Sequence, residues 1–439
     1  MARAIGALTC GMALSLPGRA DSSEPDSTEL WDHLDSASEL LEVRDLSARF
    51  DDTGKRRVLR LAVAPGTSVA WASLPPNAEG WDLSRAKCVQ ATIRNTGANP
   101  ADVTLWVASS HGWAAVGDGA TLDPDKETTL TCDLRETYPD GTPKIDPGRI
   151  REIRVMVQRT RSTSLEVSSL VHQGTIDEWE RPAGRLDVPD MTMQEPAPGR
   201  RVRYQLSSDE GRNEVYCALY LPSDWEPGKR FPVIAEFPGN LFYHATKCWS
   251  TGRPEQCQMG YGITTGEGAI WVSLPFVDLD SGGIAESGFG SRDGADTALH
   301  ARRFIADICA QWGGDRDNLF LSGFSRGAIA CGYIGLSDDE IAGLWKGFVA
   351  CQHYDGSRWR QSRMEDAIGR APRFRGSAIF QVDNSREQYG PVEAATDPSV
   401  VWTWRTSGLG YHATAMFLDD RPLMIELRRW FRDLAHTAE

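Results

Sequence analysis

The segment Gly323-Phe324-Ser325-Arg326-Gly327 places a serine midway between two glycines. A short apolar run, 318–322, precedes it and a compact apolar run, 328–334, follows it, which predicts a buried strand, a tight turn and a buried helix. The glycines would allow the helix to pack close to the strand. The turn would leave the Ser325 hydroxyl exposed near a helix N-terminus, whose free N–H groups favour a developing negative charge. We therefore interpret Ser325 as a nucleophile.

A serine hydroxyl is a poor nucleophile at neutral pH, so it requires a base and a third group that orients the base. The context of Ser325 resembles the nucleophile elbow of α/β-hydrolases, in which an acid and then a histidine follow the serine. The histidines after Ser325 are His353, His412 and His436. His412 lies in a glycine-rich loop, 408–412, between the last predicted strand and helix, and we predict that it is the base. His353 comes too early, and His436 lies in the C-terminal tail.

The acid should stand just past the strand that precedes the histidine loop. The predicted strand 377–382 ends immediately before Asp383. A carboxylate there could hold the tautomer of His412 that leaves the other ring nitrogen free for Ser325. We predict Asp383 as the acid, and Glu387, four residues further on, remains the alternative.

Two backbone N–H groups should stabilise the oxyanion of a tetrahedral intermediate. The first is that of Arg326, the residue after the nucleophile. The second should come from the loop that follows the predicted strand 232–237, where Pro238 has no N–H. Gly239 and Asn240 remain as donors, and we favour Asn240.

Two further residues are predicted to contact substrate. His353 follows a predicted strand, 347–351, and should lie near the mouth of the site, although a structural turn is equally consistent with its position. Trp249 belongs to a long loop, 241–268, that should hang over the pocket and shape its specificity.

The fold class predicted for residues 201–439 is a mostly parallel, doubly wound sheet, because strand and helix patterns alternate there. Residues 38–175 instead show alternating apolar and polar runs separated by turn signals, which predicts an all-β sandwich. Between them, residues 176–200 carry four prolines among charges and are predicted to be a linker in which little packs. Residues 21–37 are rich in Ser, Asp and Glu and are predicted to be a flexible lead-in.

Composition restricts the partners and the compartment. The chain has 47 Lys and Arg against 61 Asp and Glu, a formal net charge of −14, which argues against nucleic acid as a partner. Residues 1–20 have the pattern of a signal peptide, and no later segment predicts a membrane span, so we expect a secreted or periplasmic protein. Of nine cysteines, Cys248 and Cys257 are close enough to close a short disulfide loop. No cysteine or histidine spacing predicts a metal site.

These residues together carry a resemblance to a known family. The elbow, the segment 313–318 ahead of it and the loop of His412 resemble secreted carbohydrate esterases and polyhydroxybutyrate depolymerase-like proteins, including feruloyl and acetylxylan esterases. The Phe-Pro-Gly-Asn loop departs from the commoner His-Gly type. The resemblance implies an α/β-hydrolase fold and hydrolysis of acyl esters on plant or algal polysaccharide, or of small esters, without metal or organic cofactor.

The β-rich region, 38–175, is similar in pattern to the jelly-roll modules that accompany polysaccharide-active enzymes. This implies glycan binding, whereas a domain that only packs against the catalytic one would look the same. Its tryptophans are candidate sugar platforms or core residues: Trp71, Trp81, Trp106 and Trp113.

Two other functions fit parts of the sequence. A prolyl-oligopeptidase-type serine peptidase uses the same triad, but a β-propeller usually precedes its hydrolase domain, and residues 38–175 are too few for one and show no blade repeat. A glycan-binding protein with an inactive hydrolase domain would not need the serine, histidine and acid that this chain retains.

Overall fold

The structure is a computed structural model that describes residues 29–436, except 53, 55, 68, 78–79, 110–114, 159–161, 210–213 and 245–247. The predicted signal peptide, 1–20, and Trp113 lie outside the described residues. Among the residues that the structure describes, no helix combines the length and the apolar character needed to cross a membrane.

The N-terminal part is a sandwich of two five-stranded sheets in which all paired strands are antiparallel. The sheet orders are β1-β4-β9-β6-β7 and β2-β3-β10-β5-β8. Residues from both sheets, such as Val89 and Val155, share one buried core, as the alternating sequence pattern predicts. The strands are β1 (Glu42–Arg44), β2 (Leu46–Asp52), β3 (Arg57–Val63), β4 (Val69–Leu74), β5 (Ala86–Asn95), β6 (Ala101–Ala108), β7 (Ala115–Leu122), β8 (Glu127–Asp133), β9 (Glu152–Gln158) and β10 (Thr163–Thr175).

Two expectations for this region need correction. Leu30, Trp31 and Leu34 are buried in the sandwich core, so this part of the segment predicted to be a flexible lead-in is packed. Apolar side chains at three positions outweigh the polar composition around them. Trp71, Trp81 and Trp106 are also buried, so they are core residues rather than exposed platforms for sugars.

The C-terminal part is built on a nine-stranded sheet of order β11-β12-β13-β17-β14-β20-β21-β22-β23. The six strands from β17 to β23 in this order run parallel, and β13 is antiparallel to both of its neighbours. Two separate hairpins pair β15 with β16 and β18 with β19. The strands are β11 (Met191–Thr192), β12 (Arg201–Tyr204), β13 (Cys217–Tyr220), β14 (Phe231–Phe237), β15 (Phe242–His244), β16 (Cys248–Ser250), β17 (Ile270–Ser273), β18 (Val277–Asp278), β19 (Gly283–Ile284), β20 (Gly314–Phe324), β21 (Gly347–Cys351), β22 (Ala378–Val382) and β23 (Val401–Arg405).

Helices cover both faces of this sheet. Val233 and Ala235 of β14 share a core with α2 and α3, whereas Ile234 between them shares a core with α1 and α7. This alternation is that of a strand buried on both sides, as the sequence predicts. The helices are α1 (Met259–Thr264), α2 (Ala295–Gln311), α3 (Arg326–Tyr333), α4 (Asp339–Ala342), α5 (Met364–Arg370), α6 (Arg386–Glu393) and α7 (Pro422–His436). Short 3-10 helices occur at Ala37–Glu39, Pro147–Arg149, Pro254–Gln256, Arg292–Gly294, Ala371–Arg373 and Ala415–Leu418.

Part of the segment 176–200 packs against its neighbours, although Val188 is its one buried residue. Val188 is buried, and the Leu186 N–H donates to the Leu418 carbonyl at 2.8 Å. The Asp187 carboxylate pairs with Arg149 and Arg181. These contacts anchor residues 186–188, and the remaining residues of the segment are exposed or half-buried.

The sandwich also contacts the loop that carries His412. Tyr138, from the segment after β8, is buried in the core shared with α7, and its ring meets the Tyr411 ring edge-on at 5.2 Å. The Lys144 ammonium lies 5.0 Å from the centre of the Tyr411 ring. Arg421, the residue before α7, pairs with Asp140 of the segment after β8 at 3.2 Å.

The cysteines that the structure describes are free thiols, and Cys257 is one of them. The short disulfide loop from Cys248 to Cys257 is therefore not formed. The Cys257 thiol is buried against the sheet, where it donates to the Glu236 carbonyl at 3.8 Å.

Candidate active site

Ser325 occupies a strained turn between β20 and α3. It has φ 54° and ψ −114°, a left-handed conformation that a residue with a side chain seldom adopts. A Cβ atom on Gly327 would lie 2.0 Å from the Phe237 carbonyl oxygen, and one on Gly323 would lie 2.2 Å from the carbonyl carbon of Gly327. Glycine is required at both flanks because backbone passes where a side chain would stand, as the sequence predicts.

The residues that follow the next two strands also have a positive φ. Gln352 follows β21 with φ 56°, and Asp383 follows β22 with φ 54°. The backbone N–H of each of these residues and of Ser325 donates to the last carbonyl of the neighbouring strand. The acceptors are Cys351 for Ser325, Val382 for Gln352 and Arg405 for Asp383, each at 2.9 Å. Three polar side chains therefore leave the same edge of the sheet from equivalent positions.

His412 reaches Ser325 from the loop between β23 and α7. Its Nε2 lies 3.1 Å from Ser325 Oγ, so the hydroxyl can donate to an unprotonated Nε2. The imidazole packs beside the Phe324 ring at 4.6 Å and is half-buried. Burial, and secondarily the charge of His353, lowers the pKa of His412 from 6.5 to about 4. The ring is therefore neutral at neutral pH, as a base must be.

The Asp383 carboxylate accepts four hydrogen bonds. Its Oδ1 accepts from the Ser407 N–H at 2.6 Å and from Thr406 Oγ1 at 3.0 Å. Its Oδ2 accepts from Ser407 Oγ at 2.6 Å and from Gln352 Nε2 at 3.1 Å. Gln352 Nε2 also donates to the Tyr411 carbonyl at 2.6 Å, so one amide joins the carboxylate to the residue before His412.

The structure brings Asp383 and His412 to the same cleft, which has a volume of about 860 Å³ and also contains Gln352. Glu387, the alternative acid, lies in the first turn of α6 and is exposed, and it is absent from the lining of this cleft. Sequence reasoning missed Gln352 and Ser407. Gln352 could have been found, because it follows a predicted strand just as Ser325 and Asp383 do.

A second cavity of about 540 Å³ opens directly over Ser325. It contains most of the predicted site residues: the nucleophile, the base, both residues predicted to supply oxyanion donors, and exposed His353. The Trp249 side chain lies outside the part of the chain that the structure describes. The lining residues are Asn240, Phe242, Ser325, Arg326, Ile329, His353, Ser357, Arg358, Trp359 and His412.

One wall of this cavity is the loop 356–362, and a buried ion pair fixes it. Asp355, which is 1% exposed, accepts from Arg370 Nε at 2.8 Å and from Nη2 at 2.9 Å. Its Oδ1 also accepts from Ser362 Oγ at 2.9 Å, which joins the two ends of the loop. Trp359 is thereby held at the cavity wall.

The side chain of Arg326 is buried, with 1% of it exposed. Its guanidinium donates to four backbone carbonyls and lies 3.9 Å from the centre of the Phe276 ring. Burial lowers the pKa of Arg326 to about 9, so the group is still charged at neutral pH. The acceptors are Gly239 at 2.8 Å, Gly252 at 2.7 Å, and Ala285 and Gly288 at 3.0 Å each.

Among the described residues, no group of three or more His, Cys, Asp and Glu side chains is arranged to hold a metal ion. The nearest imidazoles, His353 and His412, have ring centres 5.4 Å apart.

No family model matches the sequence, and no curated protein matches it. Among solved structures, the feruloyl esterase module from Clostridium thermocellum shares 16% identity over 60% of this chain and 99% of its own, with a TM-score of 0.36. An acetyl ester-xyloside bifunctional hydrolase from Caldicellulosiruptor lactoaceticus shares 14% identity over 55% and 99%, with a TM-score of 0.38. A family 11 carbohydrate-binding module from Clostridium thermocellum shares 14% over 32% and 88%, with a TM-score of 0.24. At these values the likeness assigns no activity or ligand to this chain.

Proposed function

We propose that this chain is a serine esterase of the α/β-hydrolase type. The observation that carries the proposal is the 3.1 Å approach of His412 Nε2 to Ser325 Oγ at a strained strand–helix turn beneath a cavity of about 540 Å³. A nucleophile and a neutral base at hydrogen-bond distance, open to a cavity, are what acyl transfer requires.

In the proposed reaction His412 Nε2 takes the proton of Ser325 as Oγ attacks the ester carbonyl carbon. The tetrahedral intermediate collapses when the imidazolium returns that proton to the departing alcohol oxygen, which leaves an acyl-serine. Water then attacks the acyl-serine with His412 again as base, and the acid is released.

Asp383 is proposed as the acid that stabilises the His412 imidazolium. Its place at the end of β22, on the cleft that it shares with His412, supports this role over that of exposed Glu387. The four donors around Asp383 fix the position of its carboxylate.

The oxyanion is proposed to accept from the backbone N–H groups of Arg326 and Asn240. Arg326 is the first residue of α3, where N–H groups have no partner within the helix. Asn240 lines the same cavity from the loop after β14. Donors that are fixed before the reaction stabilise the developing charge without reorganisation.

We propose an aromatic acyl group, of the feruloyl type, on a polysaccharide alcohol in preference to acetyl. The cavity volume lies in the range of pockets that enclose a small organic molecule, roughly 300–1,000 Å³. Phe242, Ile329 and Trp359 give it apolar and aromatic walls, and His353 stands at its polar side. An acetyl group would leave most of these walls without contact. Export is proposed from the signal-like pattern of residues 1–20.

The test compares release of ferulate from methyl ferulate and feruloylated xylan with release of acetate from acetylated xylan, using wild-type protein and Ser325→Ala. We expect ferulate release by the wild type alone and a kcat/KM for the aromatic ester at least about tenfold above that for acetyl, since burying an aromatic ring contributes about 1.5–3 kcal/mol. Equal rates would refute the acyl preference, and activity that persists in Ser325→Ala would refute the esterase.

A further inference from the structure

The guanidinium of Arg326 ties together segments that surround the nucleophile. One nitrogen, Nη2, bonds the carbonyls of Gly239 and Gly252, and Nη1 bonds those of Ala285 and Gly288. All four acceptors lie in loops: Gly239 after β14, Gly252 after β16, and Ala285 and Gly288 after β19. A planar group with several donors in fixed directions sets the positions of these carbonyls relative to one another.

The bond to Gly239 also sets the direction of the next N–H. A trans peptide is planar, and its C=O and N–H point in opposite directions. The Gly239 carbonyl points to the buried guanidinium, 2.8 Å from Nη2, so the Asn240 N–H in the same peptide points away from it. Asn240 lines the cavity above Ser325. The buried guanidinium therefore fixes the direction in which the Asn240 N–H points, as an oxyanion donor requires.

A second connection reaches the same residue. Arg326 Nη1 donates to the Gly288 carbonyl at 3.0 Å, and the Gly288 N–H donates to Asn240 Oδ1 at 3.1 Å. The side chain of Asn240 is thus held by a residue that Arg326 itself fixes.

We infer that the Arg326 side chain is a positioning residue that selects Asn240, rather than Gly239, as the second oxyanion donor. One residue thereby supplies the first donor from its backbone and orients the second through its side chain. This inference rests on the proposed esterase function, and it goes beyond it by assigning the guanidinium a role in transition-state stabilisation.

The chemical consequence is specific. Substrate binding uses the apolar and aromatic cavity walls formed by Phe242, Ile329 and Trp359, whereas the oxyanion exists only in the transition state and the tetrahedral intermediate. A lysine has no planar fork and cannot hold four carbonyls. Loss of one fixed oxyanion donor lowers kcat by roughly 10²–10³-fold in a serine protease. Arg326→Lys should therefore lower kcat by about 10²-fold with KM changed by less than about threefold.

The experiment measures kcat and KM on an aryl ester and the Kd of an aryl boronic acid, which forms a tetrahedral adduct on serine. Arg326→Lys is expected to weaken boronate binding by about the same factor as it lowers kcat. Wild type and Ser325→Ala are measured alongside, so that absence of wild-type turnover and boronate binding would refute the proposed function itself, independently of Arg326.

Arg201 provides a matched control. It is 0% exposed, its Nη1 and Nη2 donate to the Glu255 and Pro254 carbonyls at 3.0 Å each, and it lies 4.3 Å from the centre of the Trp271 ring. It lines neither cavity of the site. Arg201→Lys should lower Tm much as Arg326→Lys does, yet leave kcat and boronate affinity of the folded protein within about threefold.

Three results would overturn the inference. Parallel losses of kcat in both lysine variants would show a general effect of stability, and unchanged boronate affinity in Arg326→Lys would remove the link to the oxyanion. If Arg326→Lys does not fold, a crystal structure of the wild-type boronate adduct decides. We expect an oxygen of the tetrahedral adduct within hydrogen-bond distance of the Asn240 backbone nitrogen. A contact with the Gly239 nitrogen instead would show that Arg326 does not select Asn240.

Discussion

Ser325 Oγ and His412 Nε2 lie 3.1 Å apart although 87 residues separate them along the chain. Ser325→Ala removes the hydroxyl that lies within hydrogen-bond distance of His412, and we expect turnover to fall on the order of a million-fold, as for the nucleophiles of known catalytic triads. Ser325→Gly should be equally inactive but more stable by about 1 kcal/mol, because glycine adopts a φ of 54° without strain. Rates of ester hydrolysis test the activity of both variants, and thermal unfolding tests their stability. Substantial turnover by folded Ser325→Ala would refute the role of the serine.

The pH dependence of activity should follow His412. Its pKa is lowered to about 4, by burial first and by the charge of His353 second. Because only the neutral imidazole acts as base, kcat/KM should be lost as the pH falls through about 4 instead of through 6.5. His353→Gln removes the second cause, so the midpoint should move upward.

A profile of kcat/KM from about pH 3 to pH 8, with folding followed in parallel, measures this midpoint. His436→Gln is the control, because His436 is exposed at the end of α7 and should leave the midpoint unchanged. A midpoint near 6.5 in the wild type, or one that His353→Gln does not raise, would contradict the prediction.

Asp383→Asn should lower kcat by roughly ten-thousand-fold, as the corresponding change does in a related triad, because an amide favours the wrong tautomer of the base. Glu387→Gln is the matched control: the residue is an exposed carboxylate four positions later, and its change should alter kcat by less than about twofold. Steady-state kinetics of both variants, with folding checked by circular dichroism, make the comparison. If Glu387→Gln lowers kcat more than Asp383→Asn does, the acid that orients His412 is Glu387.

Gly327→Ala should be strongly destabilising. Its Cβ would lie 2.0 Å from the Phe237 carbonyl oxygen, which is backbone and cannot move aside without shifting β14. We expect a loss of at least about 2–3 kcal/mol in the free energy of unfolding. Gly369→Ala in α5 meets no atom within 4 Å and should stabilise by up to about 1 kcal/mol. Similar denaturation midpoints for the two variants would show that the elbow tolerates a side chain.

Tyr138→Ala should lower kcat although the residue belongs to the N-terminal part of the chain. Tyr138 is 2% exposed and packs on Tyr411, next to His412, so its loss leaves a cavity beneath the loop of the base. Trp31→Ala, a buried aromatic of the sandwich core, should cost a comparable 3–5 kcal/mol without changing kcat of the folded protein. Equal kcat values at a temperature where both are folded would show that Tyr138 has no such influence.

Local sequence patterns predict the strand ends at which Ser325 and Asp383 stand. Apolar runs mark the strands and flanking glycines mark the turn, and both signals come from residues close together in the sequence. The order of residues was enough to choose His412, which the structure places on Ser325. The sequence predicts Arg326 as a backbone donor but gives no role for its side chain, because the hydrogen-bond partners of the guanidinium lie 38–87 residues away in the sequence. The contact of Tyr138 is not predicted for the same reason: no local pattern shows which distant segment a tyrosine will pack against.

The repeated left-handed turns after β20, β21 and β22 fix where Ser325, Gln352 and Asp383 leave the sheet. Adjacent strands lie about 4.8 Å apart, so the nucleophile and the acid stand roughly 10 Å apart at the backbone whatever the connecting loops contain. Residues 353–377 and 384–400 can therefore change in length or be exchanged for other loops without moving these anchor points. Substrate preference at this edge can diverge, in evolution or by loop grafting, while the reaction is retained.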